Sequence, residues 1–209
     1  MNINNKINVC GIGPGNPTLI LQATFILANQ SNILVSAERN LEGFETEGKQ
    51  IVLIKNNIED VIETIAARGD KMVTVLVSGD TGFYSMLGTL RRYFSANELL
   101  VVPGISSYQY MFARLAMSYE DAFLGSFHGK EFDLLSVVKS HNKVFCLTDA
   151  QHSVRYVAQL LCDNGMANYT MHVGLNLSYE NEEIVSAVAS NFLTSLLNEP
   201  LCSIIIEKN

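Results

Sequence analysis

The fold of this chain is decided by the stretch Ile7-Asn8-Val9-Cys10-Gly11-Ile12-Gly13-Pro14-Gly15-Asn16-Pro17. Its first five residues form a short, mostly apolar run, which predicts a strand over Ile7–Gly11. The glycines after it predict a tight turn in which backbone N–H groups can come close to a ligand. Pro17 suits the first turn of a helix. A strand, a glycine turn and a helix in this order predict an α/β domain that binds a small nucleoside-type ligand at the turn.

The turn does not match the two common phosphate-binding motifs. In the dinucleotide fingerprint G-x-G-x-x-G the third glycine would fall at Asn16, and Ser31-Asn32 stand where an acidic residue is expected. A P-loop also fails, because neither Gly48-Lys49 nor Gly129-Lys130 is followed by Ser or Thr. For this segment considered alone, a tight turn without a ligand remains an alternative.

The alternation of apolar runs and helical patterns continues after the turn. Strands are predicted over Ile7–Gly11, Ile33–Ser36, Ile51–Ile54, Val73–Ser78 and Leu99–Val102. Helices are predicted over Pro17–Asn29, Ile58–Arg68, Phe83–Phe94 and Ser106–Ala116. Near-continuous apolar strands with helices between them predict a parallel sheet that is covered on both faces.

A second domain is predicted after the polar segment Met117–Asp121, which gives the boundaries 1–116 and 117–209. Strands are predicted over Ala122–Ser126, Lys143–Thr148, Tyr169–Leu175, Glu183–Val188 and Cys202–Glu207. Helices are predicted over Phe132–His141, Ser153–Asn164 and Ser190–Asn198. Two strands follow each other closely within 169–188, which favours a mixed sheet with antiparallel pairs.

Composition restricts the function classes. The 209 residues carry a formal net charge of −7, which argues against a general nucleic-acid binder. No apolar run approaches the length of a membrane span, and the first residues do not form a signal peptide, so a soluble, cytoplasmic protein without a membrane partner is expected. The four cysteines and four histidines lack metal-ligand spacing, so no metal site is expected. Cys10, Cys146 and Cys202 lie in apolar runs and are predicted to be buried.

Two further loops follow predicted strands of the first domain. They are Ser78-Gly79-Asp80-Thr81-Gly82-Phe83-Tyr84 and Pro103-Gly104-Ile105-Ser106-Ser107. Asp80 and Ser106 would also suit helix N-caps, which is the structural alternative. Because the carboxyl ends of parallel strands share one edge of a sheet, three glycine-containing loops predict a binding site there.

Together these loops resemble the tetrapyrrole methylase family, S-adenosylmethionine enzymes that modify corrinoid and sirohaem precursors. The resemblance covers nearly the whole chain. The glycines and prolines of the family's opening turn V-G-x-G-P-G-x-P fit within residues 9–17, while its G-D-P motif stands here as Gly79-Asp80-Thr81. Four features resemble the branch that methylates carbon 5 of a reduced tetrapyrrole: residues 78–85, residues 103–107 followed by 112–115, Leu147-Thr148-Asp149, and residues 173–179. Relatives tend to carry R-H-L where this chain has Arg39-Asn40-Leu41, and a Glu where it has Leu175.

The resemblance implies two α/β domains with the cofactor in the cleft between them. It implies methyl transfer from S-adenosylmethionine to carbon 5 of precorrin-7, with or without cobalt, in cobalamin biosynthesis, and no protein-bound metal. The family pattern assigns cofactor contacts to Pro14, Ser78, Gly79, Asp80, Phe83, Ser106, Ser107, Leu147 and Leu177. It further implies a homodimer, and a separate protein for methylation and decarboxylation at carbon 15. Ordinary core packing is the alternative for the two leucines.

The tetrapyrrole carries several carboxylates, so an acidic protein must gather cations locally to bind it. Candidates near the loops are Arg39, Arg114, His128 and Lys130, and Arg39 and His128 are expected to face the substrate. The pattern assigns no general base. Other interpretations stay open: another methylase of this family, including one that acts on a protein or ribosomal RNA; a nicotinamide-dependent reductase; or a cofactor-binding module without catalysis.

Overall fold

A computed structural model of the chain describes residues 6–55, 57–128, 132–195, 197 and 202–209. Lys130, a predicted substrate contact, lies outside the described residues. By its internal contacts the chain divides into two compact units, residues 1–106 and 107–209. Among the residues that the structure describes, no helix is both long and apolar enough to cross a membrane.

The first unit is built on a parallel sheet, as predicted. Its described strands are β1 Ile7–Gly11, β2 Ile33–Ser36, β3 Gln50–Leu53, β4 Val73–Val77 and β5 Leu99–Val102, in the spatial order β3-β2-β4-β1-β5. The three inner strands are buried along their full length, whereas β3 and β5 at the edges are partly exposed. Full burial explains the near-continuous apolar sequence of the inner strands, since both faces of a parallel sheet are covered. Burial of Cys10 raises the pKa of its thiol to about 12.

The helices of the first unit are shorter than predicted. They are α1 Gln22–Gln30, α2 Ile58–Ala66 and α3 Leu87–Leu90. The predicted helix over 17–29 is interrupted because Ile20 and Leu21 are extended, which leaves a separate 3₁₀ turn at Pro17–Leu19. The predicted helix over 83–94 starts late because Tyr84 has a positive φ of 47°, which a right-handed helix cannot contain.

The second unit is built on a mixed sheet, as predicted. Its described strands are β6 Ala122–Ser126, β7 Lys143–Leu147, β8 Thr170–Leu175, β9 Glu183–Val188 and β10 Cys202–Glu207, in the order β6-β7-β10-β8-β9. Strands β6 and β7 are parallel, and the other neighbouring pairs are antiparallel. Cys146 and Cys202 are buried in this sheet, as predicted.

The helices of the second unit are α4 Ser107–Arg114, α5 Leu134–Ser140 and α6 Val154–Asp163. Helix α6 is followed by Gly165, whose φ is +77°. The N–H of Gly165 donates to the carbonyl of Cys162, and the N–H of Met166 to that of Leu161, which is the Schellman pattern. The last predicted helix is reduced to a 3₁₀ turn at Ala189–Phe192, and part of its predicted range lies outside the described residues.

Helix α4 groups with the second unit, so the division falls before the predicted boundary at Ala116. Its Tyr108 ring meets the Phe145 ring of strand β7, with centroids 5.9 Å apart. Its Met111 and Phe112 are fully buried, and the Met111 sulfur lies against Gly174 of strand β8. These apolar contacts explain why the helix belongs with the second unit.

Candidate functional site

The strand order of the first unit creates a switch point between β2 and β4. These strands are neighbours, and the chain leaves β2 toward β3 on one side and leaves β4 toward β5, past β1, on the other. Connections therefore diverge from the carboxyl ends of two adjacent parallel strands, next to the end of β1. Open α/β sheets bind their ligands at such a point, which is where the sequence predicts a site.

Beside this point the first two loops, which follow β1 and β4, join directly through Gly13 and Gly79. The N–H of Gly79 donates to the Gly13 carbonyl at 2.8 Å, and the N–H of Gly13 donates to the Gly79 carbonyl at 3.2 Å. Both glycines have positive φ, 78° and 69°, a conformation that side chains disfavour. The glycines of the two motifs thus serve the pairing of the loops themselves.

The third loop packs against the other two without room for a side chain. A Cβ atom on Gly11 would lie 2.6 Å from the Gly104 nitrogen and 2.7 Å from the Gly79 oxygen. Asp80 fastens the same contact: one carboxylate oxygen accepts from the Gly104 N–H at 3.1 Å, and the other from the Gly82 N–H at 2.8 Å. The three loops, distant in sequence, therefore form one connected edge.

The predicted cofactor contacts of the first unit differ in exposure. Ser78 is exposed, Pro14, Gly79, Asp80 and Phe83 are half-buried, and Ser106 is fully buried. Ser106 lies against Gly79, where an added Cβ would come 3.8 Å from the Ser106 Cα. The structure thus brings the residues of the three loops together, and their role toward a cofactor stays a prediction.

In the second unit, Leu147 and Leu177 lie at one edge of the mixed sheet. Strand β10 pairs Ser203 with Leu147 on one side and Cys202 with Leu175 on the other, so β7 and β8 end at the same edge. Leu177 is buried, and its side chain lies over Gly174, where a Cβ would approach it within 2.7 Å. Ser107, the remaining predicted contact, is half-buried and opens helix α4.

The loop after β8 is held in an unusual conformation. Asn176 and Ser178 both have positive φ, 47° and 69°, which is uncommon for residues other than glycine. The N–H of Ser178 donates to the Glu182 carboxylate at 2.6 Å. Leu177 is the residue between these two, so its position depends on this conformation.

Glu182 joins that loop to helix α4. Its other carboxylate oxygen accepts a hydrogen bond from Arg114 Nε at 2.8 Å, and the Tyr110 hydroxyl also donates to the carboxylate. Burial opposes ionisation of Glu182, but these hydrogen bonds outweigh it and hold its pKa below the ordinary value. Arg114, predicted as a substrate contact, is therefore engaged in an ion pair through its Nε atom, and its role toward a substrate stays a prediction.

Two other predicted substrate contacts are exposed. Arg39 lies in a 3₁₀ turn at Glu38–Leu41, directly after β2, beside the buried Asn40. His128 follows β6 and its N–H donates to the Ser126 hydroxyl at 3.1 Å. Both follow strands at their carboxyl ends, where a ligand would be expected, one in each unit.

The sequence did not predict one further pair of polar side chains, although one of them belongs to the motif Leu147-Thr148-Asp149. Asp149 and His152 follow β7, and their side chains meet with 2.9 Å between Asp149 Oδ1 and His152 Nδ1. The signal that could have revealed the pair is Asp-x-x-His directly after a strand. Across the described ranges, no group of three or more His, Cys, Asp or Glu side chains is arranged to hold a metal ion.

Comparison with known proteins gives consistent matches along the chain. The family model of tetrapyrrole (corrin/porphyrin) methylases matches residues 6–192. A cobalt-precorrin-7 C(5)-methyltransferase of Salmonella typhimurium is 33% identical over 192 residues, 89% of this chain and 94% of the relative. A probable enzyme of the same name from Methanocaldococcus jannaschii is 34% identical over 85% of this chain and 87% of its own. A uroporphyrin-III C-methyltransferase structure from Thermus thermophilus, complexed with S-adenosylhomocysteine, superposes with a TM-score of 0.73, at 16% identity over 97% of this chain and 92% of that one.

Proposed function

The chain belongs to the tetrapyrrole methylase family, whose members are S-adenosylmethionine-dependent methyltransferases, and within it we propose methyl transfer to carbon 5 of precorrin-7 or cobalt-precorrin-7. The observation that carries this proposal is the 33% identity, over 89% of the chain, to a relative named for that reaction. The reaction would serve the assembly of the corrin ring of cobalamin.

The three joined loops of the first unit suit the methyl donor by the chemistry of their groups. Ser78 offers an exposed hydroxyl at the carboxyl end of β4, and Ser106, which follows β5, stays a predicted contact. Such groups can bind the carboxylate and the ribose hydroxyls of S-adenosylmethionine. Pro14 and Phe83 offer apolar surface to the adenine.

Catalysis of this reaction depends more on positioning the donor and the acceptor than on covalent chemistry by the protein. The sulfonium already activates the methyl group, and a macrocycle carbon with enamine character attacks it in line with the departing sulfur. An enzyme that holds donor and acceptor at the attack distance removes much of the entropic part of the barrier. The interlocked loops, which leave no room for a Cβ at Gly11, supply the rigidity that such alignment requires.

The acceptor is a polycarboxylate, and the protein carries a formal net charge of −7. Local cations must therefore offset a repulsive field. We assign this task to Arg39, as a cation, and to His128, as a hydrogen-bond donor, because both are exposed and each follows a strand at its carboxyl end. Arg114 and Lys130 stay secondary candidates. A homodimer, a cytoplasmic location and a separate enzyme for carbon 15 likewise stay predictions.

Turnover with defined acceptors tests the proposal. The purified chain is incubated with S-adenosylmethionine carrying a labelled methyl group and with precorrin-7, cobalt-precorrin-7 or uroporphyrinogen III, and label in the tetrapyrrole is counted. We expect transfer to one or both precorrin-7 forms. Transfer to uroporphyrinogen III alone would assign the chain to another branch of the family.

Binding of the donor is measured separately by calorimetry with S-adenosylmethionine, S-adenosylhomocysteine and NADH. The first two should bind and NADH should not. Binding of NADH in preference to both sulfur compounds would contradict the assignment of the loops to the methyl donor.

A further inference from the structure

No motif in the sequence supplies a general base for this reaction, and in the second unit Asp149 and His152 form a hydrogen-bonded pair. Replacing the hydrogen of a macrocycle bridging carbon by methyl releases one proton. We propose that His152, oriented by Asp149, accepts this proton at its Nε2 atom. The inference rests on the proposed function, since it assumes methyl transfer to carbon.

The hydrogen bonds of the pair determine which nitrogen of the neutral imidazole carries the hydrogen. Asp149 Oδ1 accepts from the Gln151 N–H at 2.9 Å, from the His152 N–H at 2.7 Å and from His152 Nδ1 at 2.9 Å. These hydrogen bonds outweigh partial burial and hold the pKa of Asp149 below its ordinary value. A carboxylate can only accept, so Nδ1 carries the hydrogen and the lone pair of a neutral ring lies on Nε2.

Aromatic contacts fix the plane of the ring. Phe127 stacks on it with 4.3 Å between centroids and 8° between planes, and Tyr156 meets it edge-on at 5.1 Å. The side chain keeps 17% of its surface exposed. Nε2 accepts no hydrogen bond from any residue that the structure describes. Among the residues that the structure describes, the titratable side chains that contact the ring are Asp149 and Tyr156. On the side of strand β6, the His152 ring contacts the apolar side chain of Phe127. His128 is the next residue in the chain.

The position of the pair favours a role in the reaction over a purely structural one. Strands β6, β7 and β8 end at the same edge of the mixed sheet. That edge carries Leu147 and Leu177, assigned to the cofactor, and His128, assigned to the substrate. His152 follows the same edge, five residues after Leu147 in the chain.

The step balances in atoms and charge. The π electrons of the macrocycle form the new carbon–carbon bond, and the bond from sulfur to methyl breaks with its electron pair left on S-adenosylhomocysteine. The C–H bond at the same carbon then breaks, its electrons return to the macrocycle, and the proton moves to Nε2. The resulting imidazolium is stabilised by the Asp149 carboxylate and returns its proton to water.

Single-turnover methyl transfer by His152→Ala and His152→Gln tests the inference, with His141→Gln as the matched control. General-base catalysis contributes about 10²- to 10⁴-fold, so both His152 variants should lose at least about 100-fold in rate. His141→Gln should keep the wild-type rate. The affinity for S-adenosylmethionine should stay within about twofold of wild type in all three, because the pair is assigned to the proton and not to the donor.

Two readouts separate a base from a structural histidine. Added imidazole should restore part of the rate of His152→Ala, and the wild-type rate should rise with pH, because a general base acts only in its deprotonated form. That rise should be absent from His152→Gln and altered in Asp149→Asn, because Asp149 acts as a positioning residue. Loss of rate without imidazole rescue and with an unchanged pH profile would overturn the inference, as would wild-type rates in both His152 variants.

The failure of the proposed function gives a different result. Wild-type enzyme that binds S-adenosylmethionine but methylates neither form of precorrin-7 would overturn the proposed function, and this inference with it. Turnover by wild type together with undiminished turnover by His152→Ala would overturn this inference alone.

Discussion

At the scale of single residues, the site depends on groups whose partners lie far away in the sequence. Asp80 shows this: its type and position predicted either an N-cap or a cofactor contact, and in the structure its two oxygens accept from Gly82 and Gly104. Glu182 was not singled out by any motif, although it joins Ser178, Tyr110 and Arg114. Local sequence cannot reveal such roles, because it does not contain the partner.

Arg39 and His128 give the first prediction at this scale. Replacing either with Ala should raise the KM for the tetrapyrrole roughly tenfold, since a charge-assisted hydrogen bond to a carboxylate contributes about 1.5 kcal/mol or more. Calorimetry should show unchanged affinity for S-adenosylmethionine. The exposed Arg92 offers a control, because its side chain donates to the neighbouring Thr89 hydroxyl in the same turn. Wild-type KM in both variants would remove these residues from the substrate site.

Glu182 gives the second prediction, on stability. Glu182→Gln should lower the free energy of unfolding at pH 7 by roughly 1 to 2 kcal/mol, because it weakens hydrogen bonds to a charged acceptor. The folded-state pKa of Glu182 lies below the ordinary value of 4.5, so its contribution is complete above that value and is lost as the pH falls through the folded-state pKa. In thermal unfolding, the Tm of Glu182→Gln should therefore lie below that of wild type at pH 7, and the two Tm values should become equal at acid pH.

The exposed Glu180 provides the control for that series. Glu180→Gln should have the same Tm as wild type at every pH tested. A constant difference between Glu182→Gln and wild type from pH 7 down to about pH 3 would show that the carboxylate charge is not what stabilises the loop.

At the scale of elements, the strands were more predictable from the sequence than the helices. Short apolar runs between turn residues mark a strand clearly. The predicted bounds are therefore correct for six strands: β1, β2, β5, β6, β9 and β10. The helix over 83–94 is reduced to Leu87–Leu90 because of the backbone at Tyr84, which no periodicity reports. The carboxyl-edge location of the three loops followed from their position after parallel strands. The contact between Gly13 and Gly79 could not be predicted in this way, because it depends on β1 and β4 being neighbours in the sheet.

The loop contact predicts the effect of Gly11→Ala. The new Cβ would meet backbone atoms of Gly79 and Gly104, which cannot move away as a flexible side chain could. Forced overpacking costs about 1 to 3 kcal/mol, and each kcal/mol lowers the Tm by roughly 2 to 4 °C for a protein of this size. Since the same loops are assigned to the methyl donor, affinity for S-adenosylmethionine should fall as well.

Gly88 is the matched control for this substitution. It lies in helix α3, and a Cβ there would meet no atom within 4 Å. Gly88→Ala should keep donor affinity and leave the Tm unchanged or slightly raised, because alanine is the better helix former. Equal donor affinity in Gly11→Ala and Gly88→Ala would contradict the assignment of the loops.

At the scale of the whole chain, a parallel-sheet unit carries the loops assigned to the donor, and a mixed-sheet unit carries the proposed proton acceptor. The family match spans residues 6–192 and so includes both. Motifs in both units made the family and the reaction class predictable from the sequence. The proposed base was not predicted, because Asp-x-x-His after a strand can place the two residues together but does not show the aromatic neighbours that orient the ring.

The position of the transferred methyl group is the most direct test of the proposed reaction. Wild-type enzyme is given S-adenosylmethionine labelled with carbon-13 in the methyl group and precorrin-7 with or without cobalt, and carbon NMR of the product locates the label. We predict one new methyl group, attached to carbon 5 of the macrocycle. A methyl group on any other carbon, or no label in the tetrapyrrole at all, would contradict the proposal.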